Sequence, residues 1–167
     1  MEEVIFTVAE EENLQEIFRT FSAAIEEMNR KNILQWDEVY PDIHILQKDI
    51  KNKQLYIGKI HSQIACVYAI NSDCDEQYSN GEWEYPNAKY NVVHRMCVNP
   101  KFQNQGIGAL TLKHIEQNLK SEGVEAIRLD AFSLNPFALK MYHKQGYTKV
   151  GQANWRKGKF YLMEKKL

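Results

Sequence analysis

The stretch Val98-Asn99-Pro100-Lys101-Phe102-Gln103-Asn104-Gln105-Gly106-Ile107-Gly108-Ala109 carries the clearest capacity for chemistry in this chain. An apolar run over residues 90–98 precedes it and reads as a buried strand; an amphipathic segment over 107–119 follows and reads as a helix. Glycines at a strand-to-helix turn let the backbone come close to a ligand, and the first turn of a helix carries N–H groups without intrahelical partners. Those donors, with the positive end of the helix dipole, suit an anionic phosphate. Two familiar phosphate loops do not fit. A dinucleotide fingerprint needs a third glycine where this chain has Thr111, and a Walker loop needs Gly-Lys-Ser/Thr where it has Gly108-Ala109-Leu110. The plain alternative is a glycine-rich turn that starts an ordinary core helix.

Such a turn has to be held by a sheet, and the rest of the chain supplies the strands for one. Val4-Ile5-Phe6 reads as a short first strand. Over residues 10–30 the apolar positions Leu14, Ile17, Phe18, Phe21, Ile25 and Met28 recur at steps of three and four. Glu10, Glu11 and Glu12 at one end and Arg30 and Lys31 at the other follow the helix dipole, so this segment is a helix. A linker over 32–41 leads to a second, shorter helix over 42–52, with Ile43, Leu46 and Ile50 inward. Strands over 54–60 and 63–70 form a hairpin around His61-Ser62. A polar loop over 71–87 holds Asp73, Asp75, Glu76, Glu82 and Glu84 and no basic residue. After the strand over 90–98 and the helix over 106–122, Gly123 is a helix stop, and residues 125–132 form a further buried strand. Asn135-Pro136 starts a short helix that ends at Gly146, and strands over 147–152 and 159–163 close the chain. The order is β-α-α-β-β-β-α-β-α-β-β, a mixed sheet covered on both faces.

Composition narrows the function classes. At 167 residues the chain is expected to form one domain, 1–167, long enough for a real core. A net charge of -1 argues against nucleic-acid binding through bulk electrostatics. The three cysteines, Cys66, Cys74 and Cys97, fit no metal spacing, and no metal is expected. The acidic start Met1-Glu2-Glu3 lacks an apolar signal core and no run approaches ~18 apolar residues, so a cytoplasmic protein without membrane contact is expected.

A second pattern lies downstream. In Asn135-Pro136-Phe137-Ala138-Leu139-Lys140-Met141-Tyr142, Asn is a favoured N-cap and Pro a favoured first helical residue, so a well-made helix start accounts for it locally. Taken with the loop Gln103-x-x-Gly106-x-Gly108 after Val98-x-Pro100, it resembles the GNAT superfamily of acetyl-CoA-dependent N-acetyltransferases. In that family the loop holds the acetyl-CoA pyrophosphate. The helix after the fifth strand begins with Asn and carries Tyr seven residues on, before Gly-Tyr or Gly-Phe; Asn135, Tyr142 and Gly146-Tyr147 match. The resemblance covers roughly residues 55–163, and the first helix and linker agree with it more loosely. It implies an α/β (α+β) fold with a central mixed, mostly antiparallel sheet of about six to seven strands, splayed between the fourth and fifth.

The resemblance also implies a reaction: an acetyl group passes from acetyl-CoA, the co-substrate, to a primary amine of a small molecule or peptide by direct attack on the thioester. Pantetheine would pair with the backbone of Met96, Cys97 and Val98, where an N–H would also polarise the acetyl carbonyl. Amides of Asn104, Gln105, Gly106, Ile107, Gly108 and Ala109, in the turn that Gln103 opens, would hold the pyrophosphate. Asn135 would bind the pantetheine arm and Tyr142 would meet the departing sulfur. Tyrosine has a pKa near ~10 and a thiol ~8.5, so full proton transfer is uphill by roughly 2 kcal/mol, and a hydrogen bond to the thiolate describes the role better. An amine of pKa ~10.4 is only about one part in 10³ neutral at pH 7, a handicap of roughly 4–5 kcal/mol. His94, Asp130 and Glu84 are candidates to take its proton, each with a structural role as the alternative. Trp36, Tyr40, Trp83 and Glu84 are expected to wall the acceptor pocket, since aromatics beside acids suit a cation; anchoring of the linker by its aromatics is the alternative. A homodimer is compatible with this reading. The rival is an acyl-CoA-binding regulatory module without catalysis, against which Tyr142 and the candidate bases argue.

Overall fold

Leu14, Ile17, Phe21 and Ala24 fall on one stripe, and burying that stripe winds helix α1, Leu14–Arg30. A 3-10 turn, Glu11–Asn13, leads into it, with the Glu10 N–H donating to the Asn13 side chain at 2.9 Å. Helix α2, Ile43–Lys51, starts where the Asp42 carboxylate accepts the Ile45 N–H at 2.9 Å, a favoured N-cap. The two helices share a core with Leu55, Ile57, Ile64, Val67, Ala69 and Cys97. Strand β1 is Ile5–Val8, later than the apolar run Val4-Ile5-Phe6 suggests. Its ends are set by antiparallel pairing with β2 (Leu55–Ile60), from Ile5 opposite Lys59 to Val8 opposite Tyr56, and not by its own composition. Strand β3, Gln63–Asn71, completes the expected hairpin with β2.

The computed structural model describes residues 2–167. The remaining elements are β4 (Tyr90–Val98), α3 (Ile107–Ser121), β5 (Ala126–Phe132), α4 (Pro136–Lys144), β6 (Thr148–Trp155) and β7 (Gly158–Lys166). The seven strands lie in the order β1-β2-β3-β4-β5-β7-β6. β4 is parallel to β5, and their ladder runs over three pairs, from Tyr90 opposite Ala126 to Val92 opposite Arg128; β5 pairs antiparallel with β7 along its full length. This is the mixed, mostly antiparallel sheet expected. The chain divides into two compact units: residues through Ile70 with Arg95–Thr111, and Asn71–His94 with Leu112–Leu167. Among the described residues no helix is long and apolar enough to cross a membrane.

Two segments differ from the sequence-based expectation. The closing strands reach further, to Trp155 and from Gly158, because Trp155 and Ala153 pack in a cluster with Tyr78, Val92 and Leu162 that a polar neighbourhood concealed. The acidic loop is also not simply polar. A 3-10 turn, Glu76–Asn80, buries Tyr78, whose ring stacks on Trp83 at 5.7 Å while Trp83 Nε1 donates to the Tyr78 carbonyl at 2.9 Å. The Arg128 guanidinium lies against the faces of Trp83 (4.3 Å) and Tyr90 (3.9 Å). It is directly opposite Glu164 across the β5–β7 ladder, and it donates to the Tyr85 carbonyl at 3.1 Å while Glu164 accepts the Glu84 N–H at 2.8 Å. A buried ion pair of this kind adds little net stability, but losing either partner strands the other, so it fixes where the loop sits.

Burial also sets an alkaline limit on the fold. Desolvation is the main cause that lifts the phenols of Tyr68, Tyr78, Tyr142 and Tyr147 above their ordinary value. In the unfolded chain they titrate near ~10, so the stability they contribute is fully present below that pH and is lost as pH rises towards their folded values. We expect stability to hold to about pH 8, to decline above it as the thiols of Cys66 and Cys97, raised by burial in the fold, ionise near ~8.5 in the unfolded chain, and to be lost cooperatively above ~10, with tyrosinate absorbance and loss of far-ultraviolet dichroism rising together. Ionisation of all nine tyrosines with the dichroism retained would contradict this.

Candidate active site

The glycine turn is built by side chains that tie it to the sheet. Asn99 donates its amide to the Ile64 carbonyl at 2.8 Å and accepts the Lys101 N–H at 3.1 Å, and its own N–H reaches the Ala65 carbonyl at 2.8 Å. A 3-10 turn, Pro100–Phe102, then reverses the chain. Gln103 donates its side-chain amide to the Val98 carbonyl at 3.2 Å, and Gln105 does the same to Lys101 at 3.1 Å. The structure therefore places Gln103 as a brace across the turn. Asn104 (φ 61°) and Gly106 (φ 80°) are both left-handed, the conformation that Gly and, next, Asn tolerate. Ile107, 2% exposed, packs with Ile60, Ala65 and Cys66, and the Thr111 hydroxyl donates to its carbonyl at 2.8 Å. The first intrahelical bond of α3 runs from Leu110 N–H to the Gly106 carbonyl at 3.0 Å. The amides of Ile107, Gly108 and Ala109 precede it in the first turn of the helix, whose N-terminus carries about half a positive charge.

In the same unit, the end of β4 offers backbone more than side chains. Cys97 is buried in the core with α1 and α2, where desolvation pushes its thiol up strongly, and Val98 packs on Ile60 and Ala65. Met96 is half-buried. Before it stands Arg95, left-handed at φ 50°. Its Nε and Nη2 donate to the two Asp49 carboxylate oxygens at 2.8 Å each, and Nη1 donates to the Tyr40 hydroxyl at 3.0 Å. Nothing in the sequence reading singled out Arg95; the one available signal was an acid, Asp49, between the inward positions Leu46 and Ile50 of α2. The linker aromatics are anchored: Trp36 packs on Phe21 at 5.5 Å, and Tyr40 is held by Arg95.

In the other unit, Asn135 caps α4, accepting the Ala138 N–H on Oδ1 at 3.1 Å. Tyr142 is 8% exposed and meets the Tyr147 ring edge-on at 5.7 Å. Burial first, and then the nearby Asp130 charge, raise its phenol above the usual range, so it remains a donor at neutral pH. Asp130 accepts the Tyr78 hydroxyl at 2.7 Å, a partner the sequence reading did not find because Tyr78 sits in a loop without periodicity. The structure thus gathers Asp130, Tyr78 and Tyr142. His94 Nε2 lies 2.8 Å from Asn71 Oδ1 and 3.1 Å from the Asp73 carbonyl. The Asp73 carbonyl can only accept, so Nε2 carries a proton and donates it there. Glu84 has an exposed side chain, while Trp83 is taken up by Tyr78 and Arg128. Among the described residues no group of three or more His, Cys, Asp or Glu could hold a metal ion.

Comparison with known proteins bears on this arrangement. The fold is shared with a GNAT-family acetyltransferase from Streptococcus agalactiae, with TM-score 0.86 and 20% identity over 98% of this chain and 95% of that one. A GNAT-family acetyltransferase from Listeria monocytogenes aligns with TM-score 0.80 and 20% identity over 99% and 96% of the two chains. The PaiA N-acetyltransferase of Thermoplasma acidophilum, solved in complex with coenzyme A, aligns with TM-score 0.74 and 15% identity over 99% of each chain. No curated protein sequence matches the chain. The sequence model of the acetyltransferase (GNAT) family matches residues 14–147, which include the glycine turn, all three candidate bases, Asn135 and Tyr142. The chain belongs to the GNAT acetyltransferase family.

Proposed function

We propose that this protein is an acetyl-CoA-dependent N-acetyltransferase acting on a primary amine, with the whole chain as one catalytic domain. The observation that carries this reading is the turn over residues 103–109: a left-handed Gly106 leading directly into the first turn of α3, inside the family match. Its fit to a pyrophosphate is supported by the fold shared with a protein solved with coenzyme A. The backbone of Met96, Cys97 and Val98 receives the thioester, and Asn135 holds the pantetheine arm. The amine nitrogen attacks the carbonyl carbon, charge gathers on the carbonyl oxygen beside a β4 amide, and the carbon–sulfur bond then breaks. The thiolate leaves with a hydrogen bond from Tyr142. The proton of the amine passes to His94 or to Asp130, directly or through water. Glu84, whose side chain is exposed, offers its negative charge to a cationic acceptor, while Trp36, Tyr40 and Trp83 are held by Phe21, Arg95 and Tyr78. The cytoplasm fits both the co-substrate and three free cysteines.

Thiol release from acetyl-CoA, measured with a panel of polyamines, aminoglycosides, lysine and peptides with free N-termini, tests the reading. Release that depends on the amine is expected. Tight binding of coenzyme A with no release on any amine would make the protein a binding module instead. Glu82 and Glu84 expose their carboxylates, so Glu82→Gln with Glu84→Gln is expected to raise the KM for a cationic amine several-fold and leave that for acetyl-CoA unchanged. Added salt should reproduce the effect, because it screens the same attraction. Equal changes in both KM values would trace the effect to folding.

A further inference from the structure

A residue in a β-strand has a φ near ~-120 to -140°, whereas Arg95 in the middle of β4 has φ 50°. For a side chain that is neither Gly nor Asn, the left-handed conformation costs about 1–2 kcal/mol, and it persists only where the surroundings hold it. The holder is visible. The guanidinium makes a two-point fork onto Asp49 and a third bond to Tyr40, and the Arg95 and Asp49 side chains are 10% and 7% exposed. A planar fork onto a carboxylate fixes orientation as well as charge, which a lysine in the same place would not do. Asp49 comes from α2, whose inward face is packed in the core, so the anchor is rigid. Burial raises the Asp49 carboxyl while Tyr40 and Asp49 hold the Arg95 guanidinium in its charged form, and a buried pair of this kind adds little net stability whatever geometry it fixes.

A left-handed residue in a strand rotates the peptide planes beside it and re-aims the groups that follow. The groups that follow Arg95 are the amides of Met96 and Cys97. We propose that Arg95 is a positioning residue for acetyl transfer: its fork onto Asp49 holds the left-handed kink in β4 that aims the Met96 and Cys97 amides at the thioester carbonyl. This rests on the reading that the end of β4 receives the thioester. The same guanidinium holds Tyr40, so the linker on the acceptor side and the strand on the thioester side share one anchor.

The test separates side chain from conformation. Two double variants, Asp49→Asn with Arg95→Ala and Asp49→Asn with Arg95→Gly, both lack the fork and leave no buried carboxylate unpaired. Glycine enters the left-handed region freely, while alanine does not. The probe is acetyl-CoA labelled with ¹³C at the carbonyl, whose resonance moves downfield when an amide polarises it; coenzyme A affinity is measured alongside by calorimetry. We expect the downfield shift in the wild-type protein, its loss in the alanine variant, and its retention in large part in the glycine variant, with coenzyme A affinity within about threefold throughout. In turnover with an amine from the panel, the alanine variant should lose about tenfold in kcat and the glycine variant less. Equal shifts in the two variants, whether both kept or both lost, would overturn the proposal. Absence of any shift in the wild-type protein would instead sink the thioester reading on which it rests. If neither double variant folds, Arg95→Lys keeps the buried charge pair without the fork. It should lose part of the shift at unchanged coenzyme A affinity, and a full shift there would also overturn the proposal.

Discussion

Gly108→Glu is expected to abolish acetyl-CoA binding in a protein that still folds. Gly108 is the second residue of α3, between Ile107 and Ala109 in its first turn. A carboxylate within about 4 Å of a pyrophosphate oxygen would meet a repulsion of about 4 kcal/mol at the dielectric of a protein surface, or about 10³-fold in affinity. It would also oppose the helix dipole's attraction for the phosphate. Because Gly108 is buried, the side chain adds a steric effect, which Gly108→Gln measures without the charge. Calorimetry should give Gly108→Gln weakened binding, Gly108→Glu none, and partial recovery of the glutamate variant at high salt. Unchanged affinity in folded Gly108→Glu would put the pyrophosphate elsewhere on the molecule.

Tyr142→Phe is expected to lower kcat about 10²-fold, the scale of one positioned proton donor, with near-normal stability and acetyl-CoA affinity. The substitution keeps the ring that packs edge-on to Tyr147 and removes only the hydroxyl. Tyr142 lies seven residues after Asn135, about two helical turns, so both sit on one side of α4. Burial and the Asp130 charge both raise the phenol, so it stays protonated through the usual assay range. A falling alkaline limb of kcat below pH ~10 therefore belongs to another group. If the role is to meet the leaving thiolate, a thioester whose thiol is more acidic needs less help, and such a donor should restore much of the lost rate. Full activity of Tyr142→Phe with acetyl-CoA, or no rescue by the activated donor, would make this tyrosine a packing residue.

The parts of this protein written into its sequence are those decided within a few residues. The stripe of Leu14, Ile17 and Phe21 specifies α1; Asn135-Pro136 specifies the start of α4; Gly106 supplies the left-handed turn that precedes α3. Each depends on backbone conformation or helical period, which neighbouring residues control by themselves, and so the succession of elements, the glycine turn and the Asn–Tyr helix were all legible. The ends of β1 and of the β6–β7 pair were not, since register with a partner strand sets them. The polar contacts within each unit came only from the tertiary structure. Arg95 meets Asp49 across 46 residues, Tyr78 meets Asp130 across 52, and Arg128 meets Glu164 across 36. A lone Arg in a strand or a lone Tyr in an acidic loop repeats at no period and looks like any solvated side chain. Its partner is chosen by which strands lie side by side and how deeply both groups are buried, because a polar group removed from water must find a partner wherever the fold has placed one.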